Sequence, residues 1–407
     1  MKRYVIIGNG PAGIDAIEAI RRVDAEGEIT NICAEPHLPY SRPLLPFYVG
    51  GQIPEDGVFF RPKTFYQDHR VDAVLGDRAV EIVPEEQCVV LHSGKVVNYD
   101  KLLIASGSTP RESPIPGHQN KGVSHLTTLD ETRDVVARLP ETKRAVILGG
   151  GPLGLKTAIA LAHRGIDTKV IIASKRVMSQ VLDADSASVI EAKLRDAGVD
   201  FLLGRSVVAF EGDGTLREAV LSDGERLTCE LAIIGKGLIP NLDFLERTRL
   251  VVKNVGIIVN QYMQTSLESV YAAGDVAETY DLISGKSSVI AVWPRASEQG
   301  YCAGYNMAGF PKEYVGTHRM NSLDFEDVSC IVMGEIRDMK PGYSIIVQRD
   351  LKRHIYQKII LEEGRIRGAV IIGRVANVGA INRFIRRRVN VEQHKRALLE
   401  TKSTFIY

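Results

Sequence analysis

Gly8, Gly10 and Gly13 stand in the run Gly8-Asn9-Gly10-Pro11-Ala12-Gly13, and the spacing returns 141 positions later in Gly149-Gly150-Gly151-Pro152-Leu153-Gly154. Glycines so spaced bind phosphate with backbone. The first allows a tight bend, the second lets main chain approach a pyrophosphate, and the third packs a helix on a strand. The free N–H groups and positive dipole end of that helix then face the phosphates. One such motif is weak evidence, because glycine-rich turns after strands are common. Two in matching contexts point to two dinucleotides held by one chain.

The surrounding residues supply the elements the glycines need. Tyr4-Val5-Ile6-Ile7 and Ala145-Val146-Ile147-Leu148 read as buried strands, each running through its glycines into apolar residues at helical spacing. A following apolar strand, Ile29 to Cys33, ends at Glu35, 22 residues after Gly13 and placed to accept hydrogen bonds from an adenosine ribose. The corresponding strand Lys169 to Ile172 runs into Ala173-Ser174-Lys175-Arg176, with no carboxylate at its tip. That turn either admits a 2′-phosphate, on Ser174, Lys175 or Arg176, or is an ordinary basic turn, so NADH and NADPH both stay open. A third apolar strand, Ser269 to Ala273, ends in Gly274-Asp275 before another expected helix.

Taken in this order, the motifs resemble the FAD-dependent pyridine nucleotide–disulfide oxidoreductase superfamily over nearly the whole chain. Leu102 to Arg111 resembles the family's Ala-Thr-Gly crossover, with Ser106 where threonine is usual, and Ala232 to Asn241 would be its counterpart at the second nucleotide. The resemblance implies an α/β fold with two Rossmann-like dinucleotide-binding domains, the NAD(P) domain inserted in the FAD domain, plus a C-terminal α+β domain like the family's interface domain. It implies FAD and NAD(P)H as cofactors, with Asp275 on the FAD ribitol. The cofactor-binding set it implies is Gly8, Gly10, Pro11, Ala12, Gly13, Glu35, Arg42, Ala79, Ala105, Ser106, Gly107, Arg111, Gly149, Gly151, Pro152, Leu153, Gly154, Ser174, Lys175, Gly235, Gly274, Asp275 and Trp293. No metal site is expected.

Motif order and the Pro/Gly stretch Ser113 to Gly117 place the FAD domain at 1–115 and 246–313, the NAD(P) domain at 116–245 and the C-terminal domain at 314–407. In the last, Ser344–Val347, Ile355–Leu361 and Ile366–Ile372 read as strands, with Glu363-Gly364 as a turn. Apart from the doubled βαβ unit no repeat is apparent. The length of 407 residues fits ~3 domains, and 44% hydrophobic with 25% charged residues is ordinary for a soluble chain. A formal charge of +1 gives no reason to expect nucleic acid. No run approaches the ~18 apolar residues of a membrane span, and the first strand starts close to Met1, so a cytoplasmic location is expected.

Cysteine spacing decides the subclass. Cys33, Cys88, Cys229, Cys302 and Cys330 are widely separated and offer no local pair for a redox disulfide, zinc or an iron–sulfur cluster. Each reads as a small buried apolar residue. In the segment Tyr40-Ser41-Arg42-Pro43-Leu44-Leu45-Pro46-Phe47-Tyr48-Val49-Gly50-Gly51, Pro43 falls where single-cysteine relatives carry their thiol. The segment instead resembles the thiol-free branch: NADH:rubredoxin reductases, the flavin part of assimilatory nitrite reductases and flavin subunits of some 2-oxoacid dehydrogenases. In that branch an Arg-Pro pair lies against the flavin, which makes Arg42 a candidate contact. The run Ala291 to Gly300 also resembles that branch and implies a helix beginning near Pro294 whose N-terminus stabilises charge on the reduced ring. Trp293 is either close to the flavin or a core residue at the helix entry.

The chemistry implied is hydride exchange between nicotinamide and flavin N5, followed by single-electron transfer, with protein supplying geometry and field. Lys156 stands where many relatives carry glutamate. It either eases flavin reduction, pairs with Asp183 or Asp185, or is a solvated helix residue. Near the C-terminus, Ile381 to Val389 patterns as a helix that buries Ile381, Phe384, Ile385 and Val389 and turns its arginines outward, where they either dock an acidic redox protein or are simply solvated. The leading expectation is an FAD enzyme moving electrons between NAD(P)H and an iron–sulfur carrier such as rubredoxin or ferredoxin. The alternatives are a flavin subunit of a larger iron–sulfur complex and an NADH-responsive redox-sensing scaffold. The partner expected is an iron–sulfur protein or subunit, with a homodimer or hetero-oligomer possible.

Overall fold

In the computed structural model, which describes residues 1–253, 255–337 and 341–399, the apolar run after Lys2 forms the strand Arg3–Ile7 at the centre of a parallel sheet. Its order is Val71–Leu75, Glu28–Cys33, Arg3–Ile7, Lys101–Ile104, Val270–Ala272. Because the central strands are covered on both faces, they read as unbroken apolar runs rather than alternating ones. The helix Pro11–Val23 buries Ile14, Ala16, Ile17, Ala19 and Ile20 against this sheet's core. Proline in its first turn costs no hydrogen bond, and Arg21 and Arg22 complement the dipole at its end.

The second sheet repeats the first. Its order is Val199–Leu203, Asp167–Ile172, Arg144–Leu148, Leu231–Ile234, Val123–Ser124, again all parallel. The duplication is longer than the βαβ units that the sequence displays. Each sheet is interrupted in the chain by a three-stranded antiparallel flap, Ala79–Val83, Cys88–Leu91 and Val96–Asn98 between Val71–Leu75 and Lys101–Ile104 in one case, and Val207–Glu211, Glu218–Leu221 and Arg226–Thr228 between Val199–Leu203 and Leu231–Ile234 in the other. Even an ion pair recurs: Arg3 meets Asp100 at 2.8 Å, and Arg144 meets Glu230 at 2.5 Å. The flaps carry little signal in the sequence because their strands are three to five residues long and only half-buried.

The chain divides into two units. One comprises Met1–Ser41, Gly57–Thr109 and Leu238–Thr317, and the other comprises Arg42–Asp56, Pro110–Gly237 and the chain from His318. Within the first, the helix Trp293–Met307 crosses Pro11–Val23 at van der Waals range. A Cβ on Gly300 would stand 2.0 Å from the Ala12 carbonyl oxygen, and one on Gly304 2.5 Å from that of Ala16. Two glycines one turn apart, facing two alanines, thus let backbone touch backbone.

From His318 onward the second unit holds an antiparallel sheet in the order Met320–Phe325, Val328–Gly334, Arg365–Ile372, Ile355–Glu362, Tyr343–Asp350. Helix Val378–Arg387 buries Ile381, Phe384 and Ile385, while Arg383, Arg386, Arg387 and Arg388 are not buried. The helix stops before Val389: Arg388 takes a left-handed conformation, φ 51°, and closes the end, leaving Val389 half-buried outside the helix. No helix among the described residues is long and apolar enough to cross a membrane.

Candidate functional site

The two fingerprints share one local design. Gly8 and Gly149 have positive φ, +120° and +111°, and a Cβ would lie 2.0 Å from the Ala105 carbonyl oxygen in one and 2.3 Å from that of Gly235 in the other. Gly13 and Gly154 pack on the carbonyls of Gly8 and Gly149, where an added Cβ would stand 2.1 and 2.5 Å from the oxygens. Gly10 and Gly151 differ: a Cβ on either meets nothing within 4 Å. The outer glycines are therefore fixed by the protein's own backbone, while the middle one opens a cradle at a helix N-terminus whose first turn, Pro11-Ala12-Gly13 or Pro152-Leu153-Gly154, carries no side-chain cap. A pair of diphosphate groups fits these cradles in backbone donors and dipole sign.

Further residues gather around the first cradle within the first unit. Tyr40 donates to Glu35 Oε2 at 2.7 Å at the end of the second strand. Ala105 is buried beneath Gly8, and Ser106 Oγ donates to the Asn241 carbonyl at 2.8 Å while Asn241 returns a bond to Ser106 at 2.9 Å. The two crossover segments are thus laced together. Gly274, φ +80°, sits against Ala12 and Ala296, between the two crossing helices, and Asp275 accepts from Ser108 Oγ at 2.7 Å. Trp293 opens its helix half-buried, edge-on to Phe60 at 4.9 Å. Ala79 lies buried at the start of the first flap.

Sequence reasoning passed over Ser108, Phe60 and Asn9. Asn9 donates to the His37 carbonyl at 2.9 Å and accepts from Tyr66, whose hydroxyl also reaches Asn31 at 3.2 Å. Asn9 sits at a variable position of the fingerprint, where spacing carries no signal. Asp15, two residues beyond Gly13, accepts from Ser297 and pairs with Arg61 at 2.7 Å. Burial raises its carboxyl, with Ser297 and Arg61 opposing.

Arg42 and Lys156 belong to the second unit. Arg42 is half-buried at the start of the one-turn helix Arg42–Leu44, and Pro43 beside it is exposed. The rest of this segment is fastened to helices of the same unit: Arg133 clamps Glu55 at 2.6 Å, and Arg164 Nε donates to the Val49 carbonyl at 3.1 Å. Lys156 Nζ lies over the Phe47 ring, 4.9 Å from its centroid. Burial draws the ammonium below the ordinary lysine value, with Asp324 pulling it back. The expected alternative of a pair with Asp183 or Asp185 is not what the structure has. Asp183 is taken by Lys358, Tyr356 and Ser186, and Asp185 by Arg349.

At the second cradle, Ser174 Oγ donates to the Arg176 carbonyl at 2.8 Å, Arg176 Nε donates to that of Leu182 at 2.9 Å, and Lys175 is not buried. Gly235 ends the strand beside Gly149, and Arg111, in the crossover, is exposed with its N–H on the Gly237 carbonyl at 3.0 Å. None of the five cysteines approaches a partner thiol. Four are buried and Cys33 half-buried, and burial pushes the thiols of Cys229 and Cys330 up to about 12 and that of Cys302 up to about 11.

Comparison with known proteins agrees with this geometry. Residues 2–300 match the family model described as pyridine nucleotide-disulphide oxidoreductase, and residues 320–389 match that of the rubredoxin NAD+ reductase C-terminal domain. The chain is 31% identical to the NADH-dependent phenylglyoxylate dehydrogenase subunit epsilon of Aromatoleum evansii, covering 96% of this chain and 92% of that one. It is 28% identical to the assimilatory nitrate reductase electron transfer subunit of Bacillus subtilis, but there it spans only about half the relative's length, 52%, against 99% of its own. Among solved structures, the ferredoxin reductase for the CYP199A2 system from Rhodopseudomonas palustris superposes with a TM-score of 0.86 at 27% identity, covering 97% of each chain. This chain belongs to the pyridine nucleotide-disulphide oxidoreductase family.

Proposed function

We propose that the protein is an FAD-dependent oxidoreductase that moves electrons between NAD(P)H and an iron–sulfur carrier of the rubredoxin or ferredoxin type. The observation that carries this reading is the doubled cradle, with Gly10 and Gly151 open and their neighbours closed by backbone. Bound FAD supplies the conversion between two-electron and one-electron transfer. The chain's own part is to hold and orient. The N-terminus of Pro11–Val23 takes the FAD diphosphate, Glu35 with Tyr40 takes the adenosine ribose, and Asp275, set by Ser108, takes the ribitol. The N-terminus of Trp293–Met307, opened by Trp293, offers a positive dipole end to charge on the reduced ring. The N-terminus of Pro152–His163 takes the second diphosphate, and Lys156 supplies a cation that eases flavin reduction.

On this reading residues 1–115 and 246–313 serve FAD, 116–245 serve NAD(P), and 314–407 form the C-terminal interface domain of a cytoplasmic protein that forms a homodimer or a hetero-oligomer. Thiols that form no disulfide, four of the five buried, and an exposed Pro43 argue against disulfide chemistry. A second reading, a flavin subunit of a larger iron–sulfur complex, is favoured by the match to a named electron transfer subunit about twice this chain's length.

The test is an anaerobic spectral titration with NADH and, separately, NADPH. Rapid bleaching of the flavin band by either supports the enzyme. Bound flavin that neither reduces favours the partner-dependent subunit, and protein that binds no flavin on reconstitution overturns the reading.

A further inference from the structure

The parallel register equates the two strand tips residue by residue. Gly8 N–H donates to the Ile32 carbonyl at 2.8 Å, and Gly149 N–H donates to that of Ile171 at 2.9 Å. Counting forward from these two carbonyls, Cys33 corresponds to Ile172, Ala34 to Ala173 and Glu35 to Ser174. The first site thus presents a carboxylate where the second presents a hydroxyl followed by a lysine.

A carboxylate at this place accepts from ribose hydroxyls and repels a phosphate on the 2′ oxygen, whereas a hydroxyl and a cation do the reverse. Three further facts fit the second case. Lys175 makes no ion pair with a described residue. The backbone N–H groups of Ser174, Lys175 and Arg176 meet no acceptor among the described residues, so the turn offers donors. The carboxylate reaching this turn, Glu191, is occupied by Val177 N–H at 3.0 Å. Arg205 also lies beside the strand end, its N–H on the Ile172 carbonyl at 3.2 Å, but its guanidinium is held by Asp223 and Glu225 and is not part of the assignment.

We propose that the second site is built for a 2′-phosphorylated dinucleotide, with Lys175 and the N–H groups of the Ser174–Arg176 turn receiving the 2′-phosphate, while Ser174, whose own hydroxyl donates to the Arg176 carbonyl at 2.8 Å, leaves the place of Glu35 without a carboxylate. This rests on the reading of that cradle as the NAD(P) site. These groups act on the nucleotide's far end from the reacting ring, so they set which dinucleotide binds and not how fast it reacts.

The experiment is calorimetric binding of adenosine 2′,5′-bisphosphate and of 5′-AMP to FAD-loaded protein, in which the first cradle is already filled. The bisphosphate is expected to bind at least tenfold more tightly, and Ser174→Glu and Lys175→Glu to abolish that advantage. Equal or tighter binding of 5′-AMP by the natural protein overturns the inference and leaves the NAD(P) site standing. Binding of neither nucleotide overturns the site itself.

Discussion

Asp183 accepts the Lys358 ammonium at 2.9 Å, so the residue that caps helix Ala184–Asp196 is held by a strand of the C-terminal sheet. Burial works to raise this carboxyl, but hydrogen bonds from Ser186, Lys358 and Tyr356 outweigh it and hold the group well below the usual carboxylate range. A carboxyl whose pKa falls on folding stabilises the native state above its unfolded value and loses that stabilisation as pH drops toward the folded one. The contribution is therefore complete at neutral pH and declines below about pH 4. Lys358→Met should cost roughly 1–3 kcal/mol at pH 7 and less at pH 3. Denaturant melts at the two pH values check it, and an equal loss at both would assign the cost to packing.

Gly8 and Gly10 should fail in different ways. Gly8→Ala places a methyl against the Ala105 carbonyl in a conformation side chains avoid, and thermal melts of apo protein should show it strongly destabilised. Gly10→Ala meets no protein atom, so its apo stability should lie within about 0.5 kcal/mol of the natural chain while flavin content falls. Gly151→Ala should keep flavin and lose NAD(P)H bleaching. Normal flavin occupancy in Gly10→Ala would refute the cradle assignment.

The crossing of Trp293–Met307 on Pro11–Val23 tolerates no added atoms. Gly300→Ala should lower stability by at least the ~1–3 kcal/mol of an overpacked contact, with flavin lost in parallel, because the contact falls on the first turn of Pro11–Val23, whose N-terminus is proposed to take the FAD diphosphate. A variant with an unchanged melting temperature would contradict the packing described.

Lys156→Gln should make the bound flavin harder to reduce, and the shift is read as a more negative midpoint potential in a dye-coupled titration. The Phe47→Leu variant, which removes the ring beneath the ammonium, should move the potential less. An unchanged potential in Lys156→Gln would return this residue to a structural role.

The outward face of Val378–Arg387 tests partner choice. Reversing Arg386, Arg387 and Arg388 to glutamate should slow electron delivery to an acidic iron–sulfur protein by about tenfold or more at low salt, the range over which electrostatic steering acts. Reduction of ferricyanide should stay unchanged. Stopped-flow rates at two ionic strengths decide, and salt-independent rates in the natural protein would end the idea.

Much of this is legible in the residues themselves. The glycine spacing places both strand–turn–helix units because their strands are buried on both faces and their turns admit few residue types. Three of the five C-terminal strands are legible to within one residue, except that Tyr343–Asp350 runs three residues past Val347 along an exposed edge where apolar content gives out, whereas Met320–Phe325 and Val328–Gly334 are not read from the sequence. What stays hidden is set by contacts distant in sequence. Nothing local marks Gly300 as facing Ala12, Ser108 as the donor to Asp275, or Asp183 as already occupied when Lys156 seeks a partner. The flaps stay hidden because half-buried strands of three to five residues carry too few alternations to read.

The order of strands also bears on how the chain is made. The inserted sheet, 123–234, is contiguous and has all its strands once residue 234 has emerged from the ribosome. The first sheet waits for Val270–Ala272, so until then Lys101–Ile104 presents an unpaired parallel edge beside a helix lacking its glycine-faced partner. Open edges of that kind recruit other strands, and domains completed early are protected during synthesis. A nascent chain stalled near residue 245 should therefore carry a protease-resistant second sheet on a protease-sensitive first one, and the first sheet, although it begins the sequence, is the later of the two to be completed.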